Sequence, residues 1–430
     1  MSADGAGKAL DRAELTDVER AVVDAVDADT LVALAADLIA LPTLSGEEVP
    51  GQRAVAERLA DLGLEVETWD IDVPALTQHP AYSAEVDRDT SLGVVGRLGS
   101  GTGPTLLVDG HIDVVPTGEL ELWSRPPFEG HVRDGRLFGR GACDMKGGLA
   151  AAIHAADAVR RTGIELAGTL AIAPVVGEED GGCGTLALLE HGIAADACII
   201  PEPTQLAIAP ASAGALSWRI RIRGRSAHGA LREEGVSAIE KLIPVHQAVL
   251  ALEERRNQGT SSGLFGWLDR PFAICGGRIA GGDWPSSEAD WLRWEGRYGV
   301  APGEDLDAAR AEFEAAVAAV GDTDPWLSEH PPTVEWWGGT FVPGQTSLDD
   351  PIVATVSGAA TDLGQEPVLR GMPYGCDLGL TVGVGGIPTV VYGPGDVRDA
   401  HRPDESVPIE DLVVAARTIA LTTLRFCGTV

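Results

Sequence analysis

Between residues 92 and 200 the chain alternates short apolar runs with stretches of helical period. "LGVVGRL", "PTLLVDG", "TLAIAPVV" and "DACII" read as strands. A helix is expected from Gly147 to about Thr162 and another near 184–191. Such alternation predicts an α/β fold with a mixed, mostly parallel sheet flanked by helices. Upstream, 13–27 and 30–40 read as helices, with Asp29 a cap for the second, and 47–63 as a third that ends at Gly63. Near Ala213 the pattern changes. In "LSWRIRIRGR" (216–225) Trp218, Ile220 and Ile222 fall on one face and Arg219, Arg221, Arg223 and Arg225 on the other. This is the mark of a half-exposed antiparallel strand. A helix follows with Ile239, Leu242, Ile243, Val249 and Leu250 on one stripe. Strands over 272–280 and 289–299, an Ala-rich helix (303–320) and "PTVEWW" complete a βαββαβ unit. The expected organisation is a catalytic domain in two parts, 1–212 and 342–430, interrupted by a smaller domain at 213–341.

A length of 430 residues exceeds one typical core, which agrees with two domains. No apolar run reaches membrane-spanning length, and the acidic, polar N-terminus does not read as a secretory signal. The six cysteines are scattered with no C-x-x-C pair, so a reducing, cytoplasmic setting is expected. A net charge of −33 repels nucleic acid and anionic membrane surfaces and favours a cationic or zwitterionic substrate.

The polar residues that break the apolar pattern fall at strand ends. His111 and Asp113 in "VDGHIDVVP" lie two apart, on one side of an extended chain. Asp144 sits in the glycine-rich "GRGACDMKGG", Glu178 and Glu179 in "PVVGEEDGGCGT", Glu202 in "IIPEPT", and His401 in "AHRPDESV". In open α/β sheets that edge is where ligands bind. Singly, each has an ordinary explanation: Asp144 a helix cap, the glutamates a solvated pair, His401 a surface histidine. Together, imidazoles and carboxylates suit zinc, cobalt or manganese. Two metals bridged by one carboxylate, roughly 3.5–4 Å apart, would use the whole set and clamp a water between them. Asp113 would then accept the second ring N–H of His111. "GSGTGP" (99–104) reads as a hairpin turn, not a phosphate loop, and Ser226 with His228 lack the setting of a serine hydrolase.

"GHIDVVP", "GRGACDMKGG", "GEEDGG", "PEPT", "GRSAHGA" and "AHRPDESV", in this order, resemble the co-catalytic zinc aminoacylase/carboxypeptidase family. That family includes acetylornithine deacetylase, succinyl-diaminopimelate desuccinylase and glutamate carboxypeptidase. The resemblance implies that His111 and Glu202 hold one metal, Glu179 and His401 the other, and Asp144 bridges them, with a cis peptide to Met145. It implies Glu178 as general base and acid, and an inserted ferredoxin-like lid through which a homodimer forms. His228 would reach the neighbouring subunit's site to stabilise the oxyanion, and Arg297 would grip a substrate carboxylate. Two positions depart from relatives. Ser237 in "GVSAI" replaces an asparagine, and Gly379 in "CDLG" replaces an arginine, which removes an anion clamp. The expected activity is metal-dependent hydrolysis of a small N-acyl amino acid or related amide. Dipeptidase or carboxypeptidase action, or deformylation of an aminopyrimidine, are alternatives within the class. Outside it, the alternatives are a non-catalytic metal- or ligand-binding relative and a purely structural dimer whose carboxylates are solvated.

Overall fold

The computed structural model describes residues 14–99, 101–260 and 263–430. Its larger sheet has nine strands. The order runs Glu65–Asp70, Leu92–Gly99, Thr169–Val175, Thr105–His111, Ala197–Ile200, Thr389–Val391, Ile208–Ser212 and Gly344–Gln345, with Leu369–Met372 also paired to Ile208–Ser212. The central four of these, from Thr169–Val175 to Thr389–Val391, are mutually parallel, and the flanking Leu92–Gly99 and Ile208–Ser212 are antiparallel to them. All seven residues of Thr169–Val175 are buried. That continuous apolar run is what a strand covered on both faces requires.

Helix Lys146–Arg161 packs against the sheet and against Ile409–Cys427, and its alanines 150–152, 155, 156 and 158 are fully buried. Small side chains let this helix sit close. Its entry is closer still: a Cβ on Gly148 would lie 1.8 Å from the carbonyl oxygen of Pro201. The glycine pair after Asp144 thus brings that turn against the strand end carrying Glu202.

The inserted unit is a four-stranded antiparallel sheet in the order Ile274–Gly281, Trp291–Val300, Gly214–Arg223, Thr333–Phe341. Helices Ala238–Arg256 and Leu306–Ala318 cover one face. Trp218, Ile220 and Ile222 are buried in that core, as the alternation predicts, beside Trp294, Tyr298 and Phe313.

Several expectations need correction. The first helix is Asp17–Asp24, capped by Thr16 and Glu19, and residue 13 lies outside the described residues. The second, Ala28–Ile39, is capped by Asp27, which accepts from the Thr30 amide at 2.9 Å; Asp29 lies in its first turn. In Ala238–Arg256 the inward residues are Ala238, Val245, Val249 and Leu252, with Leu242 half-buried. Ile239, Ile243 and Leu250 are 56%, 57% and 45% exposed, because the helix carries apolar residues on two faces and only one meets the sheet. Ser237 occupies the cap position but makes no side-chain capping bond. Residues 99–104, of which 100 lies outside the described residues, are not a hairpin: the strands they join flank Thr169–Val175 on opposite sides. No helix among the described residues is long and apolar enough to cross a membrane.

Candidate active site

The four parallel central strands all point their carboxyl ends at one spot. Thr105–His111 ends on His111 itself. Thr169–Val175 leads to Glu178 and Glu179, Ala197–Ile200 to Glu202, and Thr389–Val391 to the loop that carries His401. Side chains 290 residues apart in sequence therefore meet because their strands are neighbours in the sheet.

His111 Nε2 lies 3.1 Å from Asp144 Oδ1, 3.3 Å from Glu202 Oε1 and 3.9 Å from Glu178 Oε2. His401 Nε2 lies 3.1 Å from Glu179 Oε2 and 3.3 Å from Asp144 Oδ2. The donor atoms form two triads, His111–Asp144–Glu202 and Asp144–Glu179–His401, each fitting within 4.8 Å. Asp144 belongs to both and turns one oxygen to each. The Asp144–Met145 peptide bond is cis, and His401 has a left-handed backbone, φ 58°.

Asp113 is buried beside His111, but not as drawn from sequence. The ring Nδ1 donates to the Asp113 main-chain carbonyl at 2.9 Å, and the carboxylate is 3.7 Å away. The carboxylate instead accepts from the amides of Glu178 and Glu179, at 3.2 and 3.1 Å. It holds the turn that presents the two glutamates, while the carbonyl fixes the imidazole tautomer.

Four carboxylates (Asp144, Glu178, Glu179 and Glu202) face two imidazoles here, so even doubly protonated histidines leave an excess of two negative charges. Burial pushes the Glu178 carboxyl well above the usual range, and the Glu202 charge adds to this. Burial, then the Asp144 charge, pushes Glu202 up to about 8. Burial works against the charge on His401, but hydrogen bonds to Asp144 and Glu179 lift it to about 11. Crowded carboxylates taken out of water are unfavourable unless cations join them. The donor set fits two divalent ions.

Residues missed from sequence complete the surround. Glu405, fully buried, accepts from the amides of Cys143 and Asp144 and pairs with Arg140, which fixes the turn bearing Asp144. Asp180, next to Glu179, holds Arg88 through both oxygens, at 2.7 and 2.8 Å, and Arg88 also pairs with Glu48. Behind His111, the Thr185 hydroxyl sits 2.8 Å from Asp109 and 2.6 Å from Asp377. Glu405 and Asp180 stand inside the motifs "AHRPDESV" and "GEEDGG"; Asp180 adjoins the glycine turn at 181–182.

A cavity of about 360 Å³ opens onto the cluster. Its walls include Glu178, Glu202, Tyr374 and Glu85 from the larger domain, and Ser217, Arg297 and Phe341 from the insertion. Arg297 donates to the Pro373 carbonyl at 2.9 Å and pairs with no carboxylate among the described residues. His228 is not among the residues lining this cavity. It is exposed, and its Nδ1 accepts from the Ala230 amide at 3.1 Å. Gly379 lies beneath the chain leaving the insertion: a Cβ there would be 1.8 Å from the Val342 carbonyl oxygen. The position cannot take an arginine without moving that segment.

A two-domain α/β protein with two carboxylate-imidazole triads sharing one aspartate defines a class, the dinuclear-metal hydrolases. The chain belongs to peptidase family M20/M25/M40, whose model matches residues 107–425, and is a metal-dependent hydrolase of amide bonds. It is 29% identical over 420 residues to an N-formyl-4-amino-5-aminomethyl-2-methylpyrimidine deformylase of Halalkalibacterium halodurans, covering 93% of this chain and 95% of that one. The deformylase of the same name from Bacillus subtilis is 30% identical over 401 residues, covering 88% and 89%. The structure of human carnosine dipeptidase 1 superposes with a TM-score of 0.74 at 18% identity, over 96% of this chain and 100% of that one.

Proposed function

We propose that this chain hydrolyses small N-acyl amides, N-formyl amides foremost, whose amine half carries amino or cationic groups instead of a carboxylate. The observation that carries this is the cavity's charge. With the cluster's carboxylates matched by two divalent ions, Glu85 adds a further negative charge to its wall, and Arg297 is the one arginine among its described lining residues. The aminopyrimidine deformylases named above act on an amide of this kind by name. An N-acyl amino acid is the second reading, favoured by Arg297, whose unpaired guanidinium suits a carboxylate.

His111 and Glu202 would hold one metal and Glu179 and His401 the other, with Asp144 between; zinc is the first choice, cobalt or manganese the alternatives. The metals would supply Lewis acidity toward the carbonyl and toward water. Glu178, held in place by the Asp113 carboxylate at its amide, accepts the proton of the attacking water at its carboxylate and returns it to the leaving nitrogen. Asp113 keeps the His111 Nε2 lone pair directed at the cluster. Arg297 positions the substrate from the lid.

We assign the outer face of the lid to a second copy of this chain, in the cytoplasm. Ile239, Ile243, Leu250 and Ile279 are exposed there, and Ile274–Gly281 is a sheet edge with no outer partner strand among the described residues. His228 would then serve the partner's site. Ile243→Glu should convert a dimer to a monomer in sedimentation; a wild-type monomer at micromolar concentration would rule the assembly out.

The test of substrate class is kcat/KM of metal-loaded enzyme on four amides: the N-formyl aminomethylpyrimidine, an N-acetyl amino acid, N-succinyl-diaminopimelate and a dipeptide. The formyl amide should be fastest. A tenfold preference for any carboxylate-bearing amide would overturn the reading.

A further inference from the structure

Glu85 has no place in the metal cluster, yet it is built into the wall of the same cavity. We infer that Glu85 is a specificity-determining residue, pairing with the amino-substituted edge of a heteroaromatic ring on the amine half of the substrate. This deepens the proposed reading and rests on it for the substrate class.

Glu85 is exposed, but its backbone is held in place. The Glu85 amide donates to both Asp180 Oδ2 and the Asp180 carbonyl, each at 3.2 Å, and the Val86 amide donates to Asp180 Oδ2 at 2.9 Å. Arg88 clamps the same carboxylate and reaches buried Glu48. Asp180 is the residue after Glu179, so the segment carrying Glu85 is pinned to the turn that carries the proposed base. On the other side the lid makes room for it. Gly338 has φ +67°, and a Cβ there would come within 3.1 Å of Glu85 Oε2. Ser83 ties the same segment to the lid, accepting from the Thr340 amide at 2.9 Å.

The Glu85 carboxyl itself takes no hydrogen bond from the protein among the described residues, and no cation pairs with it. An exposed carboxyl on a pinned segment of the cavity wall can exchange its water for a substrate group without breaking a protein contact. A 4-aminopyrimidine offers the matching pair, an exocyclic N–H donor beside a ring nitrogen acceptor. A carboxylic acid meets both at once, O–H to ring nitrogen and C=O from the amine. Burial, with the charges of Asp180 and Glu295 nearby, raises the Glu85 pKa. A primary amide presents the same donor–acceptor edge.

The test measures binding, so it does not require turnover. Calorimetry on the metal-loaded enzyme would compare 4-amino-5-aminomethyl-2-methylpyrimidine with its analogue lacking the ring 4-amino group. Wild type should prefer the first by at least about tenfold. Glu85→Ala should reduce that ratio to about one, and Glu85→Gln should retain at least a third of it. Tm and metal content would show that both variants are folded. An unchanged ratio in Glu85→Ala, a loss in Glu85→Gln as large as in Glu85→Ala, or a wild-type ratio near one each overturns the assignment. If the pairing holds but the formyl amide is not hydrolysed, the reaction assigned above fails and Glu85 stands.

Discussion

Replacing Asp180 by alanine tests whether the catalytic turn and the segment 83–88 are one mechanical unit. Asp180 is buried, and its carboxylate takes two bonds from Arg88 and one each from the amides of Glu85 and Val86. Removing one partner of a buried ion pair costs about 3–5 kcal/mol. Glu48 still neutralises Arg88 at 2.8 Å, so the lower end, about 3 kcal/mol, applies. The Glu85 amide keeps its second acceptor, the main-chain carbonyl at 180, but Val86 loses its only one, which adds about 1 kcal/mol. At about 2.1 cal/mol/K per residue, unfolding 430 residues has an entropy near 0.9 kcal/mol/K, so a loss of about 4 kcal/mol lowers Tm by roughly 4–5 °C. If the segment opens locally first, amide exchange at 83–88 accelerates before Tm moves. Scanning calorimetry and hydrogen exchange report the two routes. A Tm drop below 1 °C together with unchanged exchange at 83–88 would show that the two segments are not coupled through Asp180.

Two further outcomes follow from the site. The Thr185 hydroxyl has one proton and two carboxyl neighbours, so one of Asp109 and Asp377 must itself be protonated; burial, with the Asp109–Asp377 repulsion, raises Asp109 well above its usual range, and burial pushes Asp377 up to about 6. A folded-state pKa above the unfolded one means that this contribution is complete below pH ~3.8 and lost as pH rises through about 6. Asp377→Asn removes that loss, so on metal-free protein its Tm relative to wild type should be higher at pH 8 than at pH 5; a pH-independent difference would contradict the pairing. Glu178→Gln should cut kcat by at least ~10²-fold while metal content stays at the wild-type level, and near-normal turnover would remove Glu178 from the role of base.

The strand ends were legible in the sequence because the chemistry sits where an apolar run stops. His111, Glu178, Glu179 and Glu202 each follow a run that has only one sensible reading, a strand buried on both faces. Asp144 and His401 were legible through their glycine- and proline-marked turns. The Asp113 carboxylate was misassigned because i, i+2 spacing fixes a face and not which oxygen, main-chain or side-chain, reaches the ring. Glu85 and Arg88 were invisible, since 78–91 has no periodicity and their positions are set by Asp180, about 90 residues away. The stripe on Ala238–Arg256 misled for a different reason: exposed apolar residues carry the same periodicity as those that face a core.

Every role assigned to the site depends on a dinuclear centre that shares Asp144. Elemental analysis of the purified protein and of Asp144→Ala, with Tm confirming that the variant is folded, tests it most directly. Wild type should carry about two divalent ions per chain and Asp144→Ala should lose both, because each triad loses a ligand. A wild type without stoichiometric metal, or a variant that keeps two ions, would contradict it.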